Sequence, residues 1–292
     1  MNFVLKIRRV LINSLSDKLY LQLVYYRNLK RILNLKRPKL FSEKLQWLKL
    51  YDRKDFYHNM VDKYEAKKFI VERVGEQYVI PTLGLWEEFE KIDFDILPDK
   101  FVLKCTHDSG SFYICKDKSN LDKEVLKRKL LRNFELDYFY NSREWPYKGI
   151  KARIIAEPLL EDPTCSYLRD YKFYCFNGEP KIFYITSDKG GDLPTRQDFF
   201  DITGKHLDIQ DKHYTNNPQK TPDLPRNLDE MLRLARIFAK DTYHLRVDFY
   251  EIKNQVYVGE FTFFEGSGFC EFIPEKYNKL LGDWIHLPID KE

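Results

Sequence analysis

The sequence predicts an α+β protein, built as lobes of antiparallel sheet that carry helices, and not a doubly wound parallel sheet. Three observations lead there. Asn177-Gly178 sits between the apolar runs YKFYCF and EPKIFYIT and is the strongest hairpin signal in the chain. A second pair of strands, HLRVDFYEI and VYVGEFTFF, flanks another short polar turn. No G-x-G-x-x-G leads from a strand into a helix, and no G-x-x-x-x-G-K-[ST] occurs. The abundance of aromatic residues, 22 Phe and 20 Tyr in 292, suits strands better than long plain helices.

The elements follow in order. Residues 1–40 read as a basic helical arm. Residues 41–99 read as a helical region, in which FSEKLQWLKLYDR offers Ser42 as a cap and MVDKYEAKKFIVERVG carries an apolar stripe that stops at Gly75. YVIPTLGLW reads as a short strand and DFDILPDK as a loop. From 100 the pattern turns to β: FVLKCTHDSGSFYIC is strand, glycine-containing turn, strand. An amphipathic helix and the strand KARIIAEPLLE complete a small unit, 100–156. The remainder, 157–292, holds the two hairpins, a long polar loop over 188–226 and the helix NLDEMLRLARIFAKDT.

Charge is uneven. The first 40 residues carry ten Lys/Arg and one acid, Asp17, so the arm is +9 and the rest of the chain −5. Such an arm is either a solvated helical face packed on the domain or a surface for anionic lipid. A nucleic-acid partner is not expected, because the remainder is mildly acidic and no base-reading motif is present. Five cysteines without a Cys-x-x-Cys pair argue against a disulfide framework or a zinc site and for a cytoplasmic setting. No apolar run is long enough to span a bilayer, and none has the form of a secretory signal.

The hairpin from His244 carries the chemistry. With Lys253-Asn254-Gln255 as a three-residue loop, Ile252 faces Val256, Asp248 faces Glu260 and Arg246 faces Thr262. One face then holds Arg246, Asp248, Tyr250, Ile252, Val256, Val258, Glu260 and Thr262, and the other is mainly core. Two opposed carboxylates repel unless a positive group lies between them. Two readings stay open at this point. A divalent ion such as Mg²⁺ takes hard oxygen ligands, to which Thr262 adds a hydroxyl; alternatively, Arg246 simply neutralises Asp248. A second constellation is Lys104, at the end of a strand, followed by the turn Thr106 to Ser111. A small-residue turn admits backbone N–H groups to phosphate oxygens, and a strand after it makes the turn a flap.

Taken together these motifs resemble the ATP-grasp superfamily and, within it, the TupA-like group tied to bacterial surface-polysaccharide gene clusters. The resemblance runs from about residue 41 to 285. The Asp62-Lys63 pair resembles the helix whose lysine reaches the nucleotide. Lys104 and the turn Asp108, Ser109, Gly110 and Ser111 resemble the second lysine and its phosphate-covering loop. IIAEPLLED resembles the hinge strand, which implies that Glu157 and the backbone near Leu159 meet adenine. DYKFYCFNGEPKI looks like the group's own signature, with Asp170 toward the ribose and Lys172 toward the phosphates. RVDF and GEFTFFEGSG resemble the paired metal strands, which implies Asp248 and Glu260 as magnesium ligands. Thr262 stands where many relatives have Asn.

The resemblance implies two α+β lobes clasping ATP and Mg²⁺, with 100–156 the small lobe and 157–292 the large one. It also implies transfer of the γ-phosphoryl group to a carboxylate and displacement of phosphate by an amine, with Arg246 and Lys172 catalytic. The implied partners are a glycan or sugar acid and an amine or amino acid, with the arm near the inner face of a membrane. Lys189, Arg196 and His213 are unplaced acceptor-site candidates. The rival readings are a glycosyltransferase using Asp93-Phe94-Asp95 as a nucleotide-sugar metal pair, a sugar kinase, and a non-catalytic nucleotide-binding module.

Overall fold

The computed structural model describes residues 13–132, 134–162, 168–187, 194–217 and 221–291. Lys189 and the first twelve residues of the arm lie outside these. The described elements are α1 (Asp17–Leu29), α2 (Phe41–Tyr51), α3 (Phe56–Val61), α4 (Glu65–Val74), β1 (Gly84–Trp86), β2 (Phe101–Cys105), β3 (Phe112–Cys115), α5 (Lys123–Leu131), α6 (Phe139–Ser142), β4 (Ile154–Pro158), β5 (Asp170–Phe176), β6 (Glu179–Ser187), β7 (Arg196–Asp201), β8 (Gln210–Asp211), α7 (Leu228–Ala239), β9 (His244–Ile252), β10 (Gln255–Thr262), β11 (Phe272–Ile273) and α8 (Lys276–Asp283).

Two antiparallel sheets organise the chain. The first has the order β1-β4-β2-β3, the second β10-β9-β5-β6-β7, and β8 pairs with β11 as a small third sheet. The four-stranded sheet has its own core of Phe101, Leu103, Cys105, Leu126, Leu130, Ile154 and Ala156. Its edge strand β1 comes from within the 41–99 stretch, so the sheet begins before residue 100. The helices at 41–74 belong elsewhere. Phe41, Leu45, Leu48, Met60 and Ile70 join the large core beneath the five-stranded sheet.

Local chemistry explains the helix starts. Ser42 lies inside α2 and not at its cap; its hydroxyl shares a hydrogen bond of 2.9 Å with the Tyr25 phenol. The Glu43 carboxylate instead accepts from the backbone N–H groups of Lys39 and Leu40, at 2.8 and 3.0 Å. Asp62, which precedes α4, works in the other direction, accepting from the N–H groups ahead of it, Tyr64 N at 2.8 Å and Glu65 N at 3.0 Å. The Asp62-Lys63 motif is therefore a helix cap followed by the side chain that the cap aims. α4 ends at Gly75, whose φ of 105° is open to glycine.

The 188–226 stretch is not one loop. Arg196–Asp201 forms β7, paired along β6 from Ile182↔Asp201 to Ser187↔Arg196. Phe199 and Phe200 are buried in the large core. Two adjacent aromatic residues on a strand point to opposite faces, so both are buried only because β7 is covered on both sides.

The β5–β6 turn at Asn177-Gly178 is as read, with φ of 48° and 88°. The β9–β10 turn differs. Lys253 and Asn254, with φ of 50° and 65°, form a two-residue turn, and Gln255 pairs with Ile252. Val256 and Val258 consequently face the core with Glu251 and Phe249, buried to 2% and 3% exposure, and do not share the face of Asp248. A bulge between Val258 and Glu260 then restores the parity. It places Glu260 opposite Asp248 and Thr262 opposite Arg246, as the sequence reading expects. Gly259 permits the bulge: a Cβ there would lie 2.8 Å from the Tyr250 ring.

Candidate functional site

Alternation along the central strands decides what the five-stranded sheet presents on each side. Tyr171, Phe173, Leu245, Val247 and Phe249 are buried on one face, against α7. Asp170, Lys172, Arg246, Asp248 and Tyr250 lie on the other. Lys172 is directly opposite Asp248 on β5 and β9, and Asp248 is opposite Glu260 on β10. Three neighbouring strands thus set a lysine, an aspartate and a glutamate in one row.

Arg246 gathers this row. Its Nε and Nη2 donate to Asp248 Oδ1 and Oδ2 at 2.6 and 2.7 Å, a bidentate pair. Nη2 also donates to Glu260 Oε1 at 2.9 Å, and Nη1 to the Glu265 carboxylate. Lys172 donates to Asp248 and lies 3.9 Å from Asp170. The Asp170 carboxylate is also hydrogen-bonded to the Tyr250 phenol, whose pKa is pushed well up by burial and by Asp170. Burial opposes the charge on Lys172, but Asp248 overrides it and raises its pKa.

Glu265 was missed in the sequence. It follows β10 on a turn in which Gly266 and Ser267 both have positive φ, of 49° and 55°, and its second contact is the Tyr184 hydroxyl at 3.3 Å. Its signal is the acid in FFEGSG, three residues past Thr262.

Lysines from the four-stranded sheet and from helix α4 of the large core meet at Glu157. Lys104 on β2 donates to Glu157 Oε2 at 2.6 Å, and Lys67 on α4 lies 2.6 Å from Glu157 Oε1. The Glu157 carboxylate is therefore engaged by two ammonium groups and not presented as an open acceptor. Burial alone would raise its pKa; the two lysines hold it below its usual value. Lys67 was also missed, because its partner lies ninety positions away. Leu159 follows β4, half-buried.

Lys63 reaches the base of the flap, where its ammonium donates to the backbone carbonyls of Cys105, at 2.9 Å, and Asp108. Asp108 is buried, and its carboxylate accepts from the Ser111 hydroxyl, so it holds the turn together. Ser109 and Gly110 form the exposed tip, Gly110 with φ of 99°. The flap turn therefore divides into a structural pair and a two-residue tip.

The lobes face one another. Desolvation by the packed strands around it opposes the charge on Glu260, whose side chain is still 45% exposed, but Arg246, Lys172, Lys63 and Lys104, in that order, hold its carboxyl below the usual range. Lys104 belongs to the four-stranded sheet, and Lys63 is held against the flap of that sheet through the carbonyls of Cys105 and Asp108. Tyr138, hydrogen-bonded to Ser109 of the flap tip, also feels Glu260.

As the structure stands Arg246 and Lys172 neutralise Asp248, the second of the two readings of this hairpin, and a divalent cation would use the same carboxylate oxygens in place of those contacts. Asp248 Oδ2 and Glu260 Oε1 converge on a single nitrogen, Arg246 Nη2, from adjacent strands. Both are hard anionic oxygens, the donor set Mg²⁺ takes. Asp248, Glu260 and, by position, Thr262 would hold it.

Other candidates do not join this cluster. Asp93 accepts from the backbone N–H of Asp95 at 3.0 Å, so Asp93-Phe94-Asp95 is an exposed turn capped by its own first carboxylate. Arg196 opens β7, and His213 is exposed in a turn held by Asp211.

The TupA-like ATP-grasp family model matches residues 43–286. No curated protein matches the chain. Among solved structures it is similar to D-alanine–D-alanine ligase from Bacillus anthracis with ATP, at 17% identity and TM-score 0.41 over 70% of this chain and 54% of that one. It is also similar to the D-alanine–D-alanine ligase of Helicobacter pylori, at 16% and 0.44 over 86% and 67%. A third is N5-carboxyaminoimidazole synthetase from Staphylococcus aureus, at 12% and 0.40 over 70% and 44%. The chain spans about half the length of the Bacillus anthracis ligase. Among the described residues, no helix is long and apolar enough to cross a membrane.

Proposed function

The chain belongs to the TupA-like ATP-grasp family, and on that premise we propose that it is an ATP- and Mg²⁺-dependent carboxylate–amine ligase. Its substrate in this reading is a uronic acid of a bacterial surface polysaccharide, joined to an amino acid or other amine. The observation that carries the reading is the convergence of Asp248 and Glu260 on one cationic point, facing Lys63 and Lys104 across the cleft.

Each group has a task set by its position. Mg²⁺, when bound, neutralises phosphate oxygens and fixes their orientation. Lys63, Lys104 and Lys172 bind the chain of phosphate oxyanions, and the tip Ser109-Gly110 covers them. Arg246 is placed to stabilise the charge that develops when the substrate carboxylate attacks the γ-phosphorus, the bond to the β–γ bridging oxygen breaks and ADP leaves. The resulting acyl phosphate is attacked by the amine, the C–O bond to phosphate breaks, and the amine loses a proton. Positioning and charge neutralisation supply the rate, because the protein forms no covalent bond in this scheme.

The test is an incubation with Mg-ATP, a uronic acid oligosaccharide and mixed amino acids. The reading expects ADP and free phosphate in equal amounts, dependent on both acceptors. ADP without free phosphate would make the protein a kinase. UDP release from a UDP-sugar, without ATP, would make it a glycosyltransferase.

A further inference from the structure

Helix α1 is apolar on two sides. Tyr20, Leu21, Tyr25 and Leu29 are buried against the body of the protein, and the Tyr20 hydroxyl donates to Asn141 O at 2.6 Å. The outer side carries Leu19, Leu23 and Tyr26, exposed to 43%, 55% and 59%. Their i, i+4, i+7 spacing makes one stripe along the helix. Ile32, 86% exposed, lies just beyond the helix end. A helix that is apolar all round is normally covered all round; among the described residues, this one is covered on one side.

Within residues 18–39 every charge is positive; the acids nearest to it from elsewhere in the chain, Glu271 and Glu275, are paired with Arg31 at 3.7 and 2.9 Å. Lys18, Arg27, Lys30, Lys36, Arg37 and Lys39 are exposed. The single acid of this part of the chain, Asp17, is turned inward, with Oδ2 2.6 Å from Arg53 Nη2 and Oδ1 3.0 Å from Arg143 Nε. Arg27 and Lys30 each stand four residues beyond a stripe residue, Leu23 and Tyr26, and so flank the stripe on the helix surface.

We propose that the outer face of α1, continued to Lys39, docks the protein on an anionic phospholipid bilayer. Leu19, Leu23 and Tyr26 enter the boundary between headgroups and acyl chains, and the flanking cations meet the lipid phosphates. Charge complementarity selects this occupant: an apolar stripe inside a ring of cations, with its one acid withdrawn, matches a surface that is apolar beneath and anionic above. The inference does not depend on which reaction the cleft performs.

The experiment is flotation of the full chain with vesicles of phosphatidylcholine alone or mixed equally with phosphatidylglycerol. Three proteins are compared: the unaltered chain, Leu23→Glu, and the double variant R27E/K30E. The proposal expects the unaltered chain to float with the mixed vesicles at low salt, to be released at high salt and to ignore phosphatidylcholine alone. Each variant should bind roughly tenfold or more weakly while melting at the same temperature. A Tyr26→Trp variant should shift its emission to the blue on the mixed vesicles, which cations acting from a distance would not cause. Equal flotation of Leu23→Glu, an unshifted emission from the Tyr26→Trp variant, or no flotation of the unaltered chain overturns the proposal. So does a concentration-dependent dimer abolished by Leu23→Glu without any vesicle binding, since a second copy would then be the occupant.

Discussion

The two sides of the cleft solve opposite electrostatic problems with the same kinds of side chain. At the four-stranded sheet two lysines, Lys104 from the sheet itself and Lys67 from helix α4, share one carboxylate, Glu157. On the large-lobe side one arginine, Arg246, is shared by three carboxylates, Asp248, Glu260 and Glu265. The first cluster has cation to spare and suits phosphate oxygens; the second has anion to spare and suits a metal ion. A metal–polyphosphate pair carries both complements, positive toward the second cluster and negative toward the first. On the ligase reading, the difference makes the functional quantity the mismatch within each cluster, since a balanced ion pair would have nothing left to bind.

The sharpest way to break the comparison is to remove the excess anion. Glu260→Gln keeps the shape and loses the charge, and its side chain is 45% exposed, so the fold should survive. ADP release is expected to fall about 10²- to 10³-fold, the range for losing one charge-stabilising group at a reacting centre. Undiminished turnover would remove Glu260 from the mechanism.

On the other side, Lys104→Met and Lys67→Met each leave Glu157 one partner. The ligase reading assigns the phosphates to Lys104 and gives Lys67 none, leaving it only its contact with Glu157. Lys104→Met should therefore lower kcat/KM for ATP by about tenfold or more, a charge-assisted hydrogen bond being worth roughly 1.5–3 kcal/mol. Lys67→Met should lower it by less; the reverse order would exchange the two roles.

Glu157→Gln tests the structural half of the comparison. It leaves two ammonium groups facing a neutral amide, and urea unfolding at neutral pH should report a loss of roughly 3 kcal/mol. The sign with pH is fixed. The folded-state pKa of Glu157 is lowered from 4.5, so its contribution is present above 4.5 and lost as pH falls through the folded value. The variant's stability should converge on that of the unaltered protein in acid; a constant gap would mean that Glu157 acts through packing and not charge.

The smallest effect belongs to a pair outside both clusters. D93N/D95N should change ATP turnover by no more than assay error, because Asp93 caps its own exposed turn. Loss of a metal-dependent sugar transfer in that variant would revive the glycosyltransferase reading.

The opposition of Asp248 and Glu260 was legible because it needs only the alternation of two neighbouring strands. It was legible partly by compensation. The expected three-residue turn gave the wrong partners near the turn, and the bulge at Gly259 restored the right ones beyond it. β7 was hidden because RQDFFD lies in a stretch dominated by Asp, Pro, Asn and Gly, and two adjacent aromatics show no alternation. The sharing of Glu157 by Lys67 and Lys104 was invisible, since nothing local relates a helix lysine to an acid ninety residues later.

What the chain determines by itself is therefore whatever repeats with the period of its backbone: the sheet-rich lobes, the apolar stripe of the helix that ends at Gly75, and the row of polar residues on one face of β9. What only the tertiary structure decides is which charges meet. Arg246 becomes the partner of Glu265, and Glu157 of two lysines, because distant segments are brought within a few ångströms. Electrostatic energy depends on that separation in space and not on separation along the chain.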